Sequence, residues 1–113
     1  MVLQGQWFNE HYVEGGSAFS LKYVEKLHQE KTPFQTIEIY QTEKYGNLMV
    51  IDGCIMLSAL EHFFYHEMMT HPVLFRHPQP KKVVIIGGGD CGSMQQVLKH
   101  PDIEHVLQVE IDE

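Results

Sequence analysis

The sequence predicts an α/β chain in which a small antiparallel β segment is followed by the opening of a parallel β-α-β unit. Three observations carry that expectation. Residues 34–57 hold short β-type runs broken by turn residues, Ser58 to Glu61 has the spacing of a helix start, and Val83 to His100 passes from β-branched residues through a glycine loop into a helix-like stretch.

The elements follow in chain order. Trp7 to Leu27 supplies one or two strands or a short helix. From Phe34 to Leu57 the text FQTIEIYQTEKYGNLMVIDGCIML is punctuated at Tyr45-Gly46-Asn47 and at Asp52-Gly53, and Asp-Gly is a strong hairpin signal. Ile37 and Ile39 share a face with Gln35 and Gln41, while Thr36, Glu38 and Tyr40 take the other, which describes a half-exposed meander of three strands. Ser58-Ala59-Leu60-Glu61 has capping-box spacing, so a helix is expected to begin near Ala59. It is expected to stop before Pro72, because the residue preceding a proline is biased away from helical geometry. Phe63, Phe64, Met68 and Met69 are its expected core face. HPQPKK reads as a stiff linker. A strand over 83–86, a glycine loop, a helix over about 92–99 and a strand over 106–111 complete the pattern, the first strand being apolar throughout, as expected when both of its faces are covered. The domain plan is a β-domain over 1–57, a connecting helix and Pro-containing linker over 58–80, and the start of a nucleoside-binding domain over 81–113.

Composition narrows the function. With 113 residues, 43% of them hydrophobic, the chain can build one modest core but is short for a two-domain enzyme. The net charge is −7 and the eight Lys and Arg are scattered, so the basic patch of a nucleic-acid binder is absent and a cationic small substrate is favoured. Cys54 and Cys91 lie far apart with no CxxC partner, which argues against a disulfide framework or structural zinc and for reduced thiols in the cytoplasm. The N-terminal stretch lacks the basic and apolar regions of a signal peptide, and no apolar run approaches the ~20 residues of a membrane span, so no membrane partner is expected.

The chemistry concentrates in the glycine loop. Gly87, Gly89 and Gly92, with Gly88 among them, satisfy GxGxxG directly after a strand and at a helix start, where glycines let the backbone turn sharply and approach a ligand. Glu110, at the end of the second strand, can accept both ribose hydroxyls of an adenosine. Asp90 inside the loop would repel a pyrophosphate and attract a cation, which suits an adenosyl ligand bearing a sulfonium and an ammonium but no phosphate. Its alternative role is to cap the following helix. His66 and His71, in HEMMTH, are five apart and so turned about 140° from each other on a helix, unable to share a metal. His62 and His66 have i, i+4 spacing but no third ligand in register, so no metal site is expected. Cys91 reads as a small space-filler, or alternatively as a thiol activated near a helix N-terminus.

The segments YGNLMVIDG, YHEMMTHP, PKKVVIIGG, GGGDCG, VLKHP and VEIDE together resemble the polyamine aminopropyltransferase family, spermidine synthases most of all. The resemblance runs from about Trp7 onward and implies a small β-domain followed by the first β-α-β unit of a Rossmann-like, methyltransferase-type parallel sheet, truncated at Glu113. It implies transfer of an aminopropyl group from decarboxylated S-adenosylmethionine, a co-substrate rather than a cofactor, to putrescine, giving spermidine and methylthioadenosine. Position by position, it gives Glu110 the ribose hydroxyls, Asp90 the amino end of the aminopropyl group, Gln35 the nucleoside, and Tyr65 and His66 the polyamine pocket. It also implies a homo-oligomer, dimer or tetramer, formed through the β-domain.

The departures are specific. Cys91-Gly92 stands where the family has Gly-Gly, so the Cys91 side chain is expected to enter a crowded turn; Gln95-Gln96 replaces an Arg-Glu pair, Met56 replaces a glutamine, and Ser58-Ala59-Leu60-Glu61-His62 replaces a Thr-Glu-Arg-Asp-Glu run. In the family the general-base aspartate lies beyond the second parallel strand, and hence beyond Glu113, so the 113 residues are expected to be an inactive fragment with no catalytic base of their own. Two other classes stand beside this one: another S-adenosyl or NAD-dependent enzyme sharing the loop, and a noncatalytic oligomerisation module.

Overall fold

The structure, a computed structural model, describes residues 4–112; residues 1–3 and 113, the outer ends of the expected β-domain and nucleoside-binding domain, lie outside the described residues. The chain forms two compact units, Met1–Glu61 and His62–Glu113.

The first unit is a single antiparallel sheet in chain order: β1 (Trp7–Tyr12), β2 (Ser17–Lys31), β3 (Thr36–Thr42), β4 (Asn47–Ile51) and β5 (Cys54–Ser58). The last three are the expected meander, and the N-terminal stretch resolves into two strands. Residues 17–22 of β2 pair with β1 and residues 23–31 with β3, and the register against β3 shifts between Tyr23 and Glu25 and again between Lys26 and His28. Such irregularities bend a strand and sharpen its twist, which lets one long strand serve two neighbours. At the β4–β5 turn Asp52 (φ 50) and Gly53 (φ 80) are both left-handed, the requirement of a type I′ hairpin. The Asp52 carboxylate accepts the Thr36 N–H at 2.8 Å and ties that turn to β3.

The core of this sheet is Tyr40, Leu48 and Val50, with Phe8, Leu21, Tyr23 and Ile55 packed against them. Tyr40 meets the rings of Phe8 and Tyr23 at centroid distances of 5.3 and 4.8 Å. The buried face of β3 is therefore the one bearing Tyr40 and Thr42, while Ile37 and Ile39 are half-buried. At the rim of the core the Glu38 carboxylate accepts hydrogen bonds from the Lys26 ammonium at 2.5 Å and the Tyr40 hydroxyl at 2.9 Å.

Ser58 accepts the Glu61 N–H at 3.2 Å, yet no helix begins at Ala59. The N–H groups of Ala59 and Leu60 are already taken by the carbonyls of Asn47 and Tyr45, which keeps those residues with the sheet.

In the second unit α1 (His62–Arg76) is followed by β6 (Lys82–Ile86), α2 (Gly92–Val97) and β7 (His105–Val109), with β6 and β7 parallel from Lys82↔His105 to Ile86↔Val109. Contrary to expectation, α1 runs through Pro72. Proline forfeits one hydrogen bond, to the Met68 carbonyl, and Leu74, buried two residues further on, holds the last turn in place. The expected core face is also corrected: Phe63, Phe64, Met68 and Met69 are exposed, and the buried stripe is His66, Thr70 and Leu74 at i, i+4 and i+8. Val84 and Ile86 are exposed while Val83 and Ile85 are half-buried, so β6 has one covered face and not the two expected. Among the described residues, no helix is long and apolar enough to cross a membrane.

The Lys26–Glu38–Tyr40 cluster makes stability depend on pH. The hydrogen bond from Lys26 holds the Glu38 carboxyl below its ordinary range, and the bond to Glu38 raises the Lys26 ammonium. A carboxyl that gives up its proton more readily when folded stabilises the fold above its unfolded value, and that contribution is lost as pH falls through the folded one. Glu38→Gln should cost about 0.5–1 kcal/mol at neutral pH, the worth of a partly exposed ion pair, and should flatten the acid side of the stability curve in urea denaturation below about pH 4.

Candidate functional site

The glycine loop joins β6 to α2, and its backbone explains its composition. Gly87 (φ 80) and Gly88 (φ 71) are left-handed, conformations that cost a residue with a Cβ roughly 1–2 kcal/mol. The Gly87 N–H donates to the Val109 carbonyl at 2.7 Å, extending the parallel ladder into the loop. Gly92 answers a different demand. A Cβ there would lie 2.1–2.4 Å from three ring atoms of His66, so the imidazole occupies the space any side chain would need.

His66 itself is 1% exposed. Its Nε2 stands 2.7 Å from an Asp90 carboxylate oxygen, an ion-pair separation whose angles are not those of a hydrogen bond. Its Nδ1 faces the Nδ1 of His62 at 3.0 Å, where one imidazole must donate and the other accept. The alternative role for Asp90 is overturned: the residue at the helix cap is Cys91, with no side-chain capping bond, and the Asp90 carboxylate turns to His66. The expected crowding by Cys91 is corrected as well. Its side chain is exposed, its Sγ 3.6 Å from the Gly89 carbonyl, and the strain falls on the backbone at φ 62.

Glu110 follows β7 and lies over Gly89. Its carboxylate accepts the Gly89 N–H at 3.0 Å and the N–H groups of Ile111 at 2.8 Å and Asp112 at 3.4 Å. Glu110 and Asp90 thus sit at one loop, as the spacing predicted. Tyr65 is exposed and lines a cavity of about 250 Å³ together with Thr70, Val83, Ile85, Gly88 and Ser93. A larger cavity of about 500 Å³, near His77, Pro80 and Val84 at the far end of β6, holds none of the candidate residues. Gln35 stands in the first unit just before β3, half-buried, its carbonyl accepting the Thr32 N–H at 2.9 Å.

His66 and His71 engage different partners, as their spacing requires: His71 meets His100 at 2.8 Å and Gln96 at 3.2 Å. Among the described residues, no group of three or more His, Cys, Asp or Glu is gathered as metal donors. Two contributors escaped the sequence reading. The i, i+4 spacing of His62 points to metal ligation, whereas in the structure its Nδ1 partners that of His66. Gln108 donates from its side chain to the Gly88 carbonyl at 2.6 Å, and its signal is its place on β7 two residues before Glu110, where the alternation of an extended chain sends both side chains the same way.

The chain is similar to known proteins over nearly its whole length. Residues 6–59 match the spermidine synthase tetramerisation domain, and residues 62–113 match the spermine/spermidine synthase domain. The polyamine aminopropyltransferase of Methylococcus capsulatus is 64% identical over 107 residues, and that of Nitrosococcus oceani 67% identical over 107; each match covers 95% of this chain and 38% of the relative. The chain thus spans well under half the length of the curated relatives it matches. A crystal structure of a spermidine synthase in complex with the transition-state analogue AdoDATO superposes with a TM-score of 0.91 at 35% identity, covering 97% of this chain and 38% of that one. The spermidine synthase of Thermotoga maritima gives 0.90 at 35%, covering 97% and 39%.

Gly92→Ala should force the buried His66 ring from its place, at a cost of about 1–3 kcal/mol for overpacking a filled site. Thermal denaturation checks it: an unchanged midpoint would show that the ring moves aside freely.

Proposed function

Because the chain belongs to the polyamine aminopropyltransferase family, we propose that it carries part of the site at which an aminopropyl group passes from decarboxylated S-adenosylmethionine to putrescine, giving spermidine and methylthioadenosine. The observation that carries this reading is the pair of carboxylates at one glycine loop, Asp90 within it and Glu110 bonded to Gly89. Two negative charges there oppose a pyrophosphate and favour a sulfonium with an ammonium tail.

In the reaction the amine nitrogen forms a bond to the carbon beside the sulfonium as the C–S bond breaks. Sulfur leaves as the neutral thioether of methylthioadenosine, and the new secondary amine sheds a proton. The residues present bind and orient. Glu110 accepts the ribose hydroxyls, Asp90 draws the aminopropyl ammonium, and Tyr65 lines the polyamine side from its exposed position. His66, being buried, serves that side through Asp90, and Gln35 is assigned to the nucleoside by resemblance alone. Placing nucleophile and electrophile in line is where such a site gains most of its rate.

Assembly belongs to the first unit in this reading, where the match to a tetramerisation domain is supported by the exposed apolar side chains of Tyr12, Val13 and Phe19. The exposed, unpaired thiols of Cys54 and Cys91 fit a cytoplasmic setting.

Calorimetry should show methylthioadenosine binding to this chain and no comparable uptake of NAD+. Glu110→Gln should weaken methylthioadenosine roughly 10- to 100-fold, the loss of charge-assisted hydrogen bonds. Asp90→Asn should weaken decarboxylated S-adenosylmethionine by a similar factor while leaving methylthioadenosine, which has no ammonium, unchanged. Tight NAD+ binding with indifference to both adenosyl compounds would end this reading. Sedimentation equilibrium should give a dimer or tetramer that Phe19→Asp dissociates; a concentration-independent monomer would remove assembly from the first unit.

A further inference from the structure

Gly88 C=O and Gly89 N–H are the two ends of one peptide group, and both are held by side chains of neighbouring positions on and after β7. Gln108 Nε2 donates to the Gly88 carbonyl at 2.6 Å, and Glu110 accepts the Gly89 N–H at 3.0 Å. The Gln108 atom facing a carbonyl oxygen must be its NH₂, since two acceptors would repel. The grip matters because of what it holds. Gly88 is at φ 71, and with no Cβ on either side of the bond this peptide group can invert at little steric cost. Inverted, it would present its carbonyl to the Glu110 carboxylate, acceptor against acceptor, and free its N–H to face outward. The Glu110 side chain lies 3.1–3.4 Å from where a Gly89 Cβ would be, a tight contact, so its position and the orientation of this peptide are set together.

We propose that Gln108 is a positioning residue that locks the Gly88–Gly89 peptide and thereby sets the Glu110 carboxylate for the ribose. The lock also withholds the Gly89 N–H from an incoming anion, which deepens the preference for a phosphate-free nucleoside. The ligand half of this inference rests on the function proposed above, whereas the peptide half stands on the loop geometry alone.

The test uses the ¹⁵N-labelled 113-residue chain with Gln108→Met and Gln108→Glu, which cannot donate, and Gln108→Lys, which can. Amide hydrogen exchange at Gly89 should quicken roughly tenfold in the Met and Glu variants, stay near the parent rate in the Lys variant, and leave Gly92 and Val97 unchanged in all three. Methylthioadenosine affinity should fall roughly tenfold in the Met variant and recover in the Lys variant. Equal Gly89 exchange in the parent and Met chains, or matching acceleration in the Met and Lys chains, overturns the lock whatever the ligand does. A parent chain that fails to bind methylthioadenosine while Gly89 exchange follows the donor pattern overturns the adenosyl reading and leaves the lock standing.

Discussion

The glycine-loop unit depends on one close approach, the His66 imidazole filling the space that any side chain at residue 92 would need. From that contact the rest of the unit follows. It holds α1 against the first turn of α2, and it gives α1 a buried stripe that is largely polar, with His66 and Thr70 ahead of Leu74. Burying an imidazole is costly unless its nitrogens find partners. Here Nδ1 faces His62 at 3.0 Å, while Nε2 makes no hydrogen bond and stands 2.7 Å from the Asp90 carboxylate, so the packing of the unit and the placing of its charged loop residue are one event. A residue at 92 larger than glycine would disturb both at once.

That coupling explains which features could be read in the sequence. Backbone demands for positive φ have a narrow residue vocabulary, and so the Asp52-Gly53 hairpin and the Gly87-Gly88 turn are legible in the order of the residues. Asp90 and Glu110 were legible because their separation from the glycines is fixed by one strand–loop–helix–strand passage. The start and end of α1 were not. The capping-box spacing at Ser58 lost to the sheet, which claims the N–H groups of Ala59 and Leu60, and the proline rule lost to the burial of Leu74 beyond Pro72. Periodicity says that a helix has a stripe but not which stripe is buried. Large apolar residues won that choice on paper at Phe63, Phe64, Met68 and Met69, whereas in the structure a histidine and a threonine took it. Gln108 escaped because its importance comes from the parallel register, with Ile86 opposite Val109, and a single strand read alone does not contain it.

Cys91 shows how far the loop tolerates departure from glycine. Its backbone is left-handed at φ 62, which costs a residue with a Cβ about 1–2 kcal/mol. Yet its side chain points to solvent, so the penalty stays in one residue's backbone and does not spread into the packing around Gly92. The two positions therefore need glycine for unlike reasons, and only Gly92 is barred by a neighbour's atoms. The family resemblance treats them as a pair; the physics does not.

Glu110 carries the tightest accounting in the site. An ionised carboxylate offers about four acceptor positions. Among the described residues, the N–H groups of Gly89, Ile111 and Asp112 already use three of them, the bond from Asp112 being the longest at 3.4 Å. Two ribose hydroxyls would need two positions, one still open and one vacated, and the long Asp112 contact is the one that yields at least cost. The Gly89 bond does not yield, since that peptide is held from its other end by Gln108. Nucleoside binding at this loop is thus expected to loosen the chain just after Glu110 while leaving the loop itself in place, a division of mobility that follows from where the hydrogen bonds are short.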